Sequence, residues 1–183
     1  GENVLNHTNI LKTTINNNLS YSSIDYFSNL GFKNNFGWYL RNLNTIGKNH
    51  NVYKSNLQSQ LMSIFEVRSN FPLIKKSEKF SEKITPLVSF RLNPGQMKNL
   101  TSRGVNVDNI FSINRLGLSE AYEKGKSLTL GLNYRKDKND YSEDALDEVE
   151  KYFEIKLAGV LRDVEENKIS TSTTLNRKAS NLF

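Results

Sequence analysis

The chain contains no cysteine and only two histidines, His7 and His50, among its 183 residues. The absence of cysteine excludes disulfide bonds, thiolate zinc sites, iron–sulfur clusters and cysteine nucleophiles. Both histidines lie in asparagine-rich stretches, where an exposed turn residue is the expected role. The sequence also lacks a G-x-S-x-G elbow, a phosphate-binding glycine loop and an H-E-x-x-H motif. We therefore expect a protein that is not an enzyme and that holds no metal ion or cofactor.

Long apolar runs are missing as well. Apolar residues make up 37% of the chain, and the mean hydropathy is -0.58. The densest apolar stretch, 157–161, is far shorter than the roughly 20 residues of a membrane-spanning helix. The net charge of +6 favours anionic partners, which include nucleic acid and acidic lipid head groups. Because the chain starts with Gly1 and shows no signal peptide, we expect a mature, trimmed or fragmentary chain.

The most frequent pattern is the alternation of apolar and polar residues, which is typical of a strand with two unlike faces. In the first clear run, Phe36 and Trp38 fall on one side, and Tyr39 and Arg41 fall on the other. Further clear runs cover 57–71, 84–92, 128–135 and 153–162, and weaker ones cover 3–15, 19–29, 109–118 and 171–183. The polar stretches between them predict turns, and we interpret the acidic stretch 140–150 as a solvated loop. The sequence therefore predicts an all-β protein with an antiparallel, up-and-down sheet of eight or nine strands.

The length of these runs favours a transmembrane β-barrel over a soluble sheet. Soluble strands usually have about 5 to 6 residues, whereas a tilted membrane strand needs about 9 to 11. In such barrels the apolar side faces lipid and the polar side lines a wet interior. The candidates for interfacial aromatic girdles are Trp38, Tyr39, Tyr134, Tyr152 and Phe153, for which ordinary sheet packing is an equal alternative. We expect residues 1–183 to be one segment of a larger barrel.

Two ordered pieces of the sequence carry a resemblance to a known family. The first is Phe71-Pro72-Leu73 followed by ITPLVSFRLNP at 84–94, and the second is NIFSINRLGLSEAYEKGKSLTLGLNY at 109–134. Together they resemble the barrel of the lipopolysaccharide-assembly protein family called OstA or LptD. In that family, a strand ending in Asn-Arg precedes an acidic turn and a strand that reads L-T-x-G-L-x-Y. The cysteines and the periplasmic domain of the family are absent here, so the resemblance implies a fragment of its barrel.

The resemblance implies delivery of lipopolysaccharide to the outer leaflet of a Gram-negative outer membrane. It also implies two protein partners, an LptE-like plug lipoprotein and an LptA-like periplasmic bridge protein. Guanidinium groups pair with phosphate bidentately. The lumen-facing candidates for binding lipopolysaccharide phosphates are Arg41, Arg68, Arg91, Arg115 and Arg135. Their alternative role is to balance interior carboxylates such as Glu66 and Glu154.

Two other classes of function share the strand pattern. One is a general outer-membrane porin or transporter, which has the same alternation. The other is a soluble β-sheet module that binds polysaccharide or nucleic acid. Basic and aromatic residues are interleaved as on a stacking platform. We nevertheless expect no nucleic-acid partner, because the basic residues are spread over many segments and no RNP-like run occurs.

Overall fold

The alternating runs form one antiparallel sheet in the computed structural model, which describes residues 10–51, 53–97, 104–138 and 152–183. Its eight strands are β1 (Leu11–Ser22), β2 (Tyr26–Phe27), β3 (Lys33–Lys48), β4 (Gln58–Asn70), β5 (Leu73–Lys76), β6 (Phe80–Asn93), β7 (Gly125–Lys138) and β8 (Tyr152–Arg162). The long strands follow the order β1-β3-β4-β6-β7-β8, while β2 pairs with β3 and β5 with β6. The predicted all-β, antiparallel, up-and-down sheet is therefore confirmed. Among the described residues the sheet is open, with β1 and β8 at its two edges.

The six long strands are longer than the strands of a typical soluble sheet, as the sequence predicted, and most also exceed the expected length of about 9 to 11 residues. The shortest of them, β8, has 11 residues and the longest, β3, has 16. Both exceed the usual 5 to 6 residues of a soluble strand. The described ranges contain no α-helix, and none of their segments is a helix able to cross a membrane.

The two faces of the sheet have opposite polarity. Residues that pair directly across antiparallel strands share a face, so the pairs Trp38–Phe65 and Phe90–Leu128 place four apolar side chains on the same side. We call this side the open face, because its side chains remain exposed. The other side, which we call the covered face, contains the buried strand residues Leu43, Thr45, Met62, Ile64, Glu66, Ser89, Arg91, Asn93, Ser127, Thr129, Ala158, Val160 and Arg162.

Two segments of irregular backbone lie against the covered face. The inner segment, 104–124, connects to β7, and the C-terminal segment, 163–183, follows β8. The side chains that these two segments add to the buried cluster are Ile110, Leu116, Leu118, Ala121, Tyr122, Ile169 and Leu175. The apolar core of the described residues is therefore built between the polar face of the sheet and these segments, rather than on the apolar face.

The predicted strand at 109–118 is wrong, because this stretch is a series of turns. The Asn106 side chain accepts hydrogen bonds from the backbone N–H groups of Asp108 and Asn109 at 3.0 and 3.1 Å. The Asn114 side chain bonds to the backbone of Leu118 in both directions, at 2.9 Å each. Asparagine side chains favour turns by making these local bonds. Gly117, with φ of 66°, then reverses the chain in a conformation that glycine adopts without strain.

The predicted strand at 171–183 is also wrong. Thr171–Thr173 is a single turn of 3-10 helix, capped by the Ser170 side chain and ended by Thr174 in the left-handed region. The rest forms no regular strand, although an isolated bridge between Leu161 and Ala179 and backbone hydrogen bonds from residues 178–183 link it to β8. The predicted strand at 3–15 overlaps β1 from Leu11 onward, and its first seven residues lie outside the described residues. The acidic stretch 140–150 also lies outside them.

Candidate functional site

A carboxylate on β4, Glu66, organises the first of two arginine clusters on the covered face. It accepts a hydrogen bond from Arg91 Nε at 2.8 Å and from Ser89 Oγ at 2.9 Å. Arg68 Nη2 lies 2.8 Å from its other oxygen. Arg68 and Arg91 also donate to the same carbonyl, that of Phe111, at 2.6 and 2.8 Å. This Glu66 cluster therefore joins β4 and β6 to the inner segment.

A second carboxylate, Glu123, organises the other cluster at the end of the inner segment. Arg115 donates to both of its oxygens, from Nε and Nη2, at 2.6 Å each. Arg162, from the end of β8, donates to Glu123 and to the carbonyl of Lys124. Burial alone would raise the pKa of Glu123, but the charges and hydrogen bonds of Arg115 and Arg162 override it and lower this pKa to about 2. Glu123 is therefore ionised at neutral pH and holds two buried guanidinium groups.

Short side chains on the covered face of β7 make room for these contacts. Arg115 donates to Thr129 Oγ1 at 2.8 Å and to Ser127 Oγ at 3.1 Å. At Gly131, a Cβ atom would lie 2.7 Å from Cζ of Phe111, which is closer than real Cβ contacts. The side chain of Phe111 therefore occupies the space that Gly131 leaves empty. This explains the run of Ser, Thr and Gly opposite the leucines of β7.

All five arginines predicted to bind ligand lie on the covered side of the sheet. Arg41, Arg68, Arg91 and Arg135 project from strands, whereas Arg115 belongs to the turns of the inner segment. Arg41 donates to Asn18 at 2.8 Å and to the carbonyl of Ser119 at 3.0 Å. Arg135 donates to Asp137 at 2.7 Å and lies over the Tyr152 ring. Each of the five thus has a partner within the protein.

The geometry assigns three of these arginines to the balancing of carboxylates. Arg68 and Arg91 pair with Glu66, and Arg115 pairs with Glu123. Glu154, the other interior carboxylate named from the sequence, pairs with Lys156 at 3.3 Å. Binding of lipopolysaccharide phosphates by the five arginines stays a prediction.

The sequence pattern does not reveal Glu123 as an interior carboxylate or Arg162 as its second partner. Glu123 lies in a polar stretch that predicts a turn, and nothing local marks it as buried. Arg162 falls on the polar side of the β8 alternation, yet it lies 39 residues from Glu123 in the chain. The sequence signal that bears on the cluster is the Ser, Thr and Gly run on β7, which indicates space on the covered face.

The open face is a continuous apolar surface that crosses every long strand. Among its most exposed apolar residues, the exposed fraction ranges from 37% at Val67 to 67% at Leu61. Its large apolar members include Leu19, Tyr21, Phe36, Trp38, Leu61, Phe65, Val67, Ile84, Val88, Phe90, Leu130, Leu132, Phe153, Ile155, Leu157 and Leu161. Of the five girdle candidates, Trp38, Tyr134 and Phe153 are on this face, and Tyr39 and Tyr152 are on the covered face.

The apolar band does not run straight across the sheet. The row of directly paired residues that begins at Trp38 continues to Phe65, Leu92 and Lys126. The apolar run on β6 is centred on Val88, so it has moved about four residues along the strand after two strand steps. Strands tilted by about 45° shift a level band by roughly 1.5 residues per strand, given a spacing of about 4.8 Å and a rise of about 3.3 Å. In a barrel wall, the apolar band can therefore lie parallel to the membrane plane only if the strands are strongly tilted from the membrane normal.

The described residues contain no group of three or more carboxylate or imidazole side chains placed to hold a metal ion. The covered face instead presents paired arginines, backbone carbonyls and hydroxyl groups. Of these, the guanidinium and hydroxyl groups can donate hydrogen bonds to an anion, whereas the carbonyls accept hydrogen bonds from the arginines.

No protein-family model, no curated protein and no solved structure matches the chain. Its function is therefore inferred from its residues and their geometry. Of the two sequence pieces that carry the family resemblance, 84–93 lies in β6 and 125–134 lies in β7, while 109–115 forms turns instead of the expected strand.

Proposed function

We propose that the chain is part of the wall of a transmembrane β-barrel in an outer membrane. Its open face contacts lipid, and its covered face, with the inner segment, faces the lumen. The observation that carries this proposal is the reversed polarity of the sheet. Large apolar side chains are exposed, while Glu66, Arg91 and Arg115 are buried on the opposite side.

A soluble sheet would have the opposite arrangement. Antiparallel sheets in water pack their apolar face on the core and expose their polar face. Soluble monomers rarely expose apolar patches larger than a few hundred Å². In a membrane barrel, the alternation of apolar-out and polar-in residues is the normal pattern. The strand lengths and the drift of the apolar band support the same proposal.

We further propose that this barrel takes part in lipopolysaccharide assembly at the outer leaflet. This step rests on the resemblance of 71–134 to the OstA or LptD family. The arginines of the covered face are the proposed contacts for the phosphorylated sugars of this anionic lipid, in addition to their partners within the protein. The partners of the proposal are lipopolysaccharide, an LptE-like plug lipoprotein and an LptA-like bridge protein.

The single tryptophan of the chain provides a test of the membrane orientation. Trp38 lies on the open face and is 48% exposed. Its fluorescence in phospholipid vesicles should be quenched strongly by brominated lipids and weakly by aqueous acrylamide. The matched control is the double variant Trp38→Phe/Tyr39→Trp, which moves the indole by one residue to the covered face. Equal lipid quenching of the two proteins would contradict the proposed orientation.

The lipopolysaccharide step needs a separate experiment on the full-length protein in its native cell. Depletion of the protein should reduce the amount of lipopolysaccharide exposed at the cell surface, because the proposed route to the outer leaflet would be missing. Unchanged surface lipopolysaccharide, together with ion conductance by the purified protein, would contradict the step and favour a porin. A chain that stays monomeric without detergent and unfolds cooperatively would contradict the membrane proposal and favour a soluble module.

A further inference from the structure

A small polar pocket lies beside the Glu66 cluster on the covered face. Its volume is about 220 Å³. The residues that line it are Asp25, Lys33, Asn35, Arg68, Ser69, Asn70, Leu87, Val88 and Phe111. Arg68 is one of the arginines predicted to contact lipopolysaccharide phosphates, but no role has been assigned to the pocket that it lines or to Lys33.

The charges in and behind the pocket do not balance. Lys33 pairs with Asp25 at 2.7 Å inside it. Arg68 lines it, and Arg91 lies directly behind, because both guanidinium groups share Glu66 and the carbonyl of Phe111. Three cations therefore face two carboxylates, which leaves one positive charge in excess.

The guanidinium groups of Arg68 and Arg91 also contain two N–H donors for which the described residues provide no acceptor. Arg68 Nε and Arg91 Nη1 are buried, and neither has a hydrogen-bond partner among the described residues. A buried donor without an acceptor costs about 1 to 3 kcal/mol, and more when it is charged. Native structures rarely leave such groups unpaired, so an acceptor that the described residues do not supply, either a ligand oxygen or ordered water, is expected here.

We propose that this pocket binds a phosphate group, with Lys33 and Arg68 as its cationic contacts. A phosphate supplies the missing negative charge, and its oxygens suit the planar donors of arginine. Asp25 stays compensated by Lys33 and by Asn35, whose side-chain nitrogen lies 2.9 Å from it. The amide groups of Asn35 and Asn70 at the pocket wall are donors for further phosphate oxygens.

The phosphate has two possible sources, a phosphorylated sugar of a lipid head group or free inorganic phosphate. Assignment to a lipid head group rests on the proposed function, whereas the pocket itself does not. The whole chain in detergent is titrated calorimetrically with inorganic phosphate, glucose 1-phosphate and glucose. Glucose should not bind. Tighter binding of glucose 1-phosphate than of phosphate supports the head-group source, and equal binding supports free phosphate.

Variants decide whether the pocket is the binding site. We expect Arg68→Gln and Lys33→Gln to weaken phosphate binding at least tenfold. Lys33→Gln covers the case in which Arg68→Gln fails to fold, because Lys33 is 37% exposed and lies outside the Glu66 cluster. The matched control is Lys156→Gln, because Lys156 also lies on the covered face, pairs with an aspartate (Asp108, at 3.0 Å) and has a side chain that is 32% exposed.

The proposed site is wrong if the unaltered chain shows no saturable phosphate binding, or if Lys156→Gln weakens binding as much as Lys33→Gln does. The same samples are tested for insertion into phospholipid vesicles. Insertion without phosphate binding would overturn the site and leave the membrane proposal intact. If the chain binds phosphate in a way that depends on Lys33 but does not insert into vesicles, the binding site is supported and the membrane proposal is contradicted.

Discussion

Replacement of Glu123 with glutamine would remove the anion that holds the inner segment to the sheet. In Glu123→Gln, the guanidinium groups of Arg115 and Arg162 stay buried without a counter-charge. The pKa of Glu123 is lowered from 4.5 to about 2. At about 1.4 kcal/mol per pKa unit, this difference corresponds to about 3 kcal/mol of stability at neutral pH. This value agrees with the loss of about 3 to 5 kcal/mol of stability that generally follows the removal of one partner from a buried ion pair.

The assay is urea unfolding of the chain in detergent micelles, followed by circular dichroism at pH 7. We expect Glu123→Gln to lower the free energy of unfolding by about 3 kcal/mol. The matched control is Glu154→Gln, because Glu154 pairs with Lys156 at 3.3 Å and its side chain is 27% exposed. The control should lose less than about 1 kcal/mol, since a solvated ion pair contributes little. Equal losses in the two variants would refute the central role of Glu123.

The pH dependence of the same variant checks the sign of the effect. Because the pKa of Glu123 is lowered in the folded chain, its contribution is complete above pH 4.5 and is lost as the pH falls towards 2. The difference in unfolding free energy between the unaltered chain and Glu123→Gln should therefore shrink between pH 5 and pH 2, in the same detergent. A difference that stays constant over this range would contradict the ionised, ion-paired state of Glu123.

Two further substitutions probe the faces of the sheet. Leu132→Arg places a charge on the open face and should destabilise the chain folded in vesicles by about 2 to 4 kcal/mol. The control Asn133→Arg, one residue along β7 on the covered face, should destabilise it by less than half as much. Equal destabilisation by the two variants would argue against a lipid-facing surface. Gly131→Val places a side chain against Phe111 and should destabilise the chain in urea unfolding by about 1 to 3 kcal/mol. Combination with Phe111→Ala should cancel part of that loss, and strictly additive losses would show that the two residues do not share the space.

The division of the sheet into two faces could be predicted from the sequence because side chains alternate with a period of two. A shift of one residue would move every side chain of a strand to the other face, so the pattern fixes the orientation. The run at 84–92 correctly placed Val88 and Phe90 on the apolar side, and the run at 128–135 placed Leu130 and Leu132 there. Strand ends were harder to place, since β6 begins at Phe80, inside a stretch predicted to be a turn.

The inner segment could not be predicted because its apolar residues mimic a strand. Ile110 and Leu116 enter the buried core from consecutive turns, and their spacing in the chain does not distinguish this from alternation. The bonds that hold the turns, such as that from Asn114 to Leu118, depend on backbone conformation. The tertiary fold therefore overrides the local pattern here.

The ion-pair clusters could be predicted only in part. Arg68 and Glu66 are two residues apart on the same side of one strand, so their proximity follows from the alternation. The pairing of Arg91 with Glu66 requires β4 and β6 to be neighbours, and that of Arg162 with Glu123 requires the C-terminal end of β8 to meet the inner segment. These contacts depend on strand order and register, which a single sequence does not determine.

The most direct test of the membrane-wall proposal is an accessibility scan along β8, which is straightforward because the chain has no cysteine of its own. Single cysteines at 153–157 are labelled with a fluorophore, and the chain is inserted into phospholipid vesicles that contain brominated lipids. If β8 is part of the membrane wall, lipid quenching should be strong at Phe153, Ile155 and Leu157 and weak at Glu154 and Lys156. Uniform quenching along the strand, or quenching only by a water-soluble agent, would contradict it.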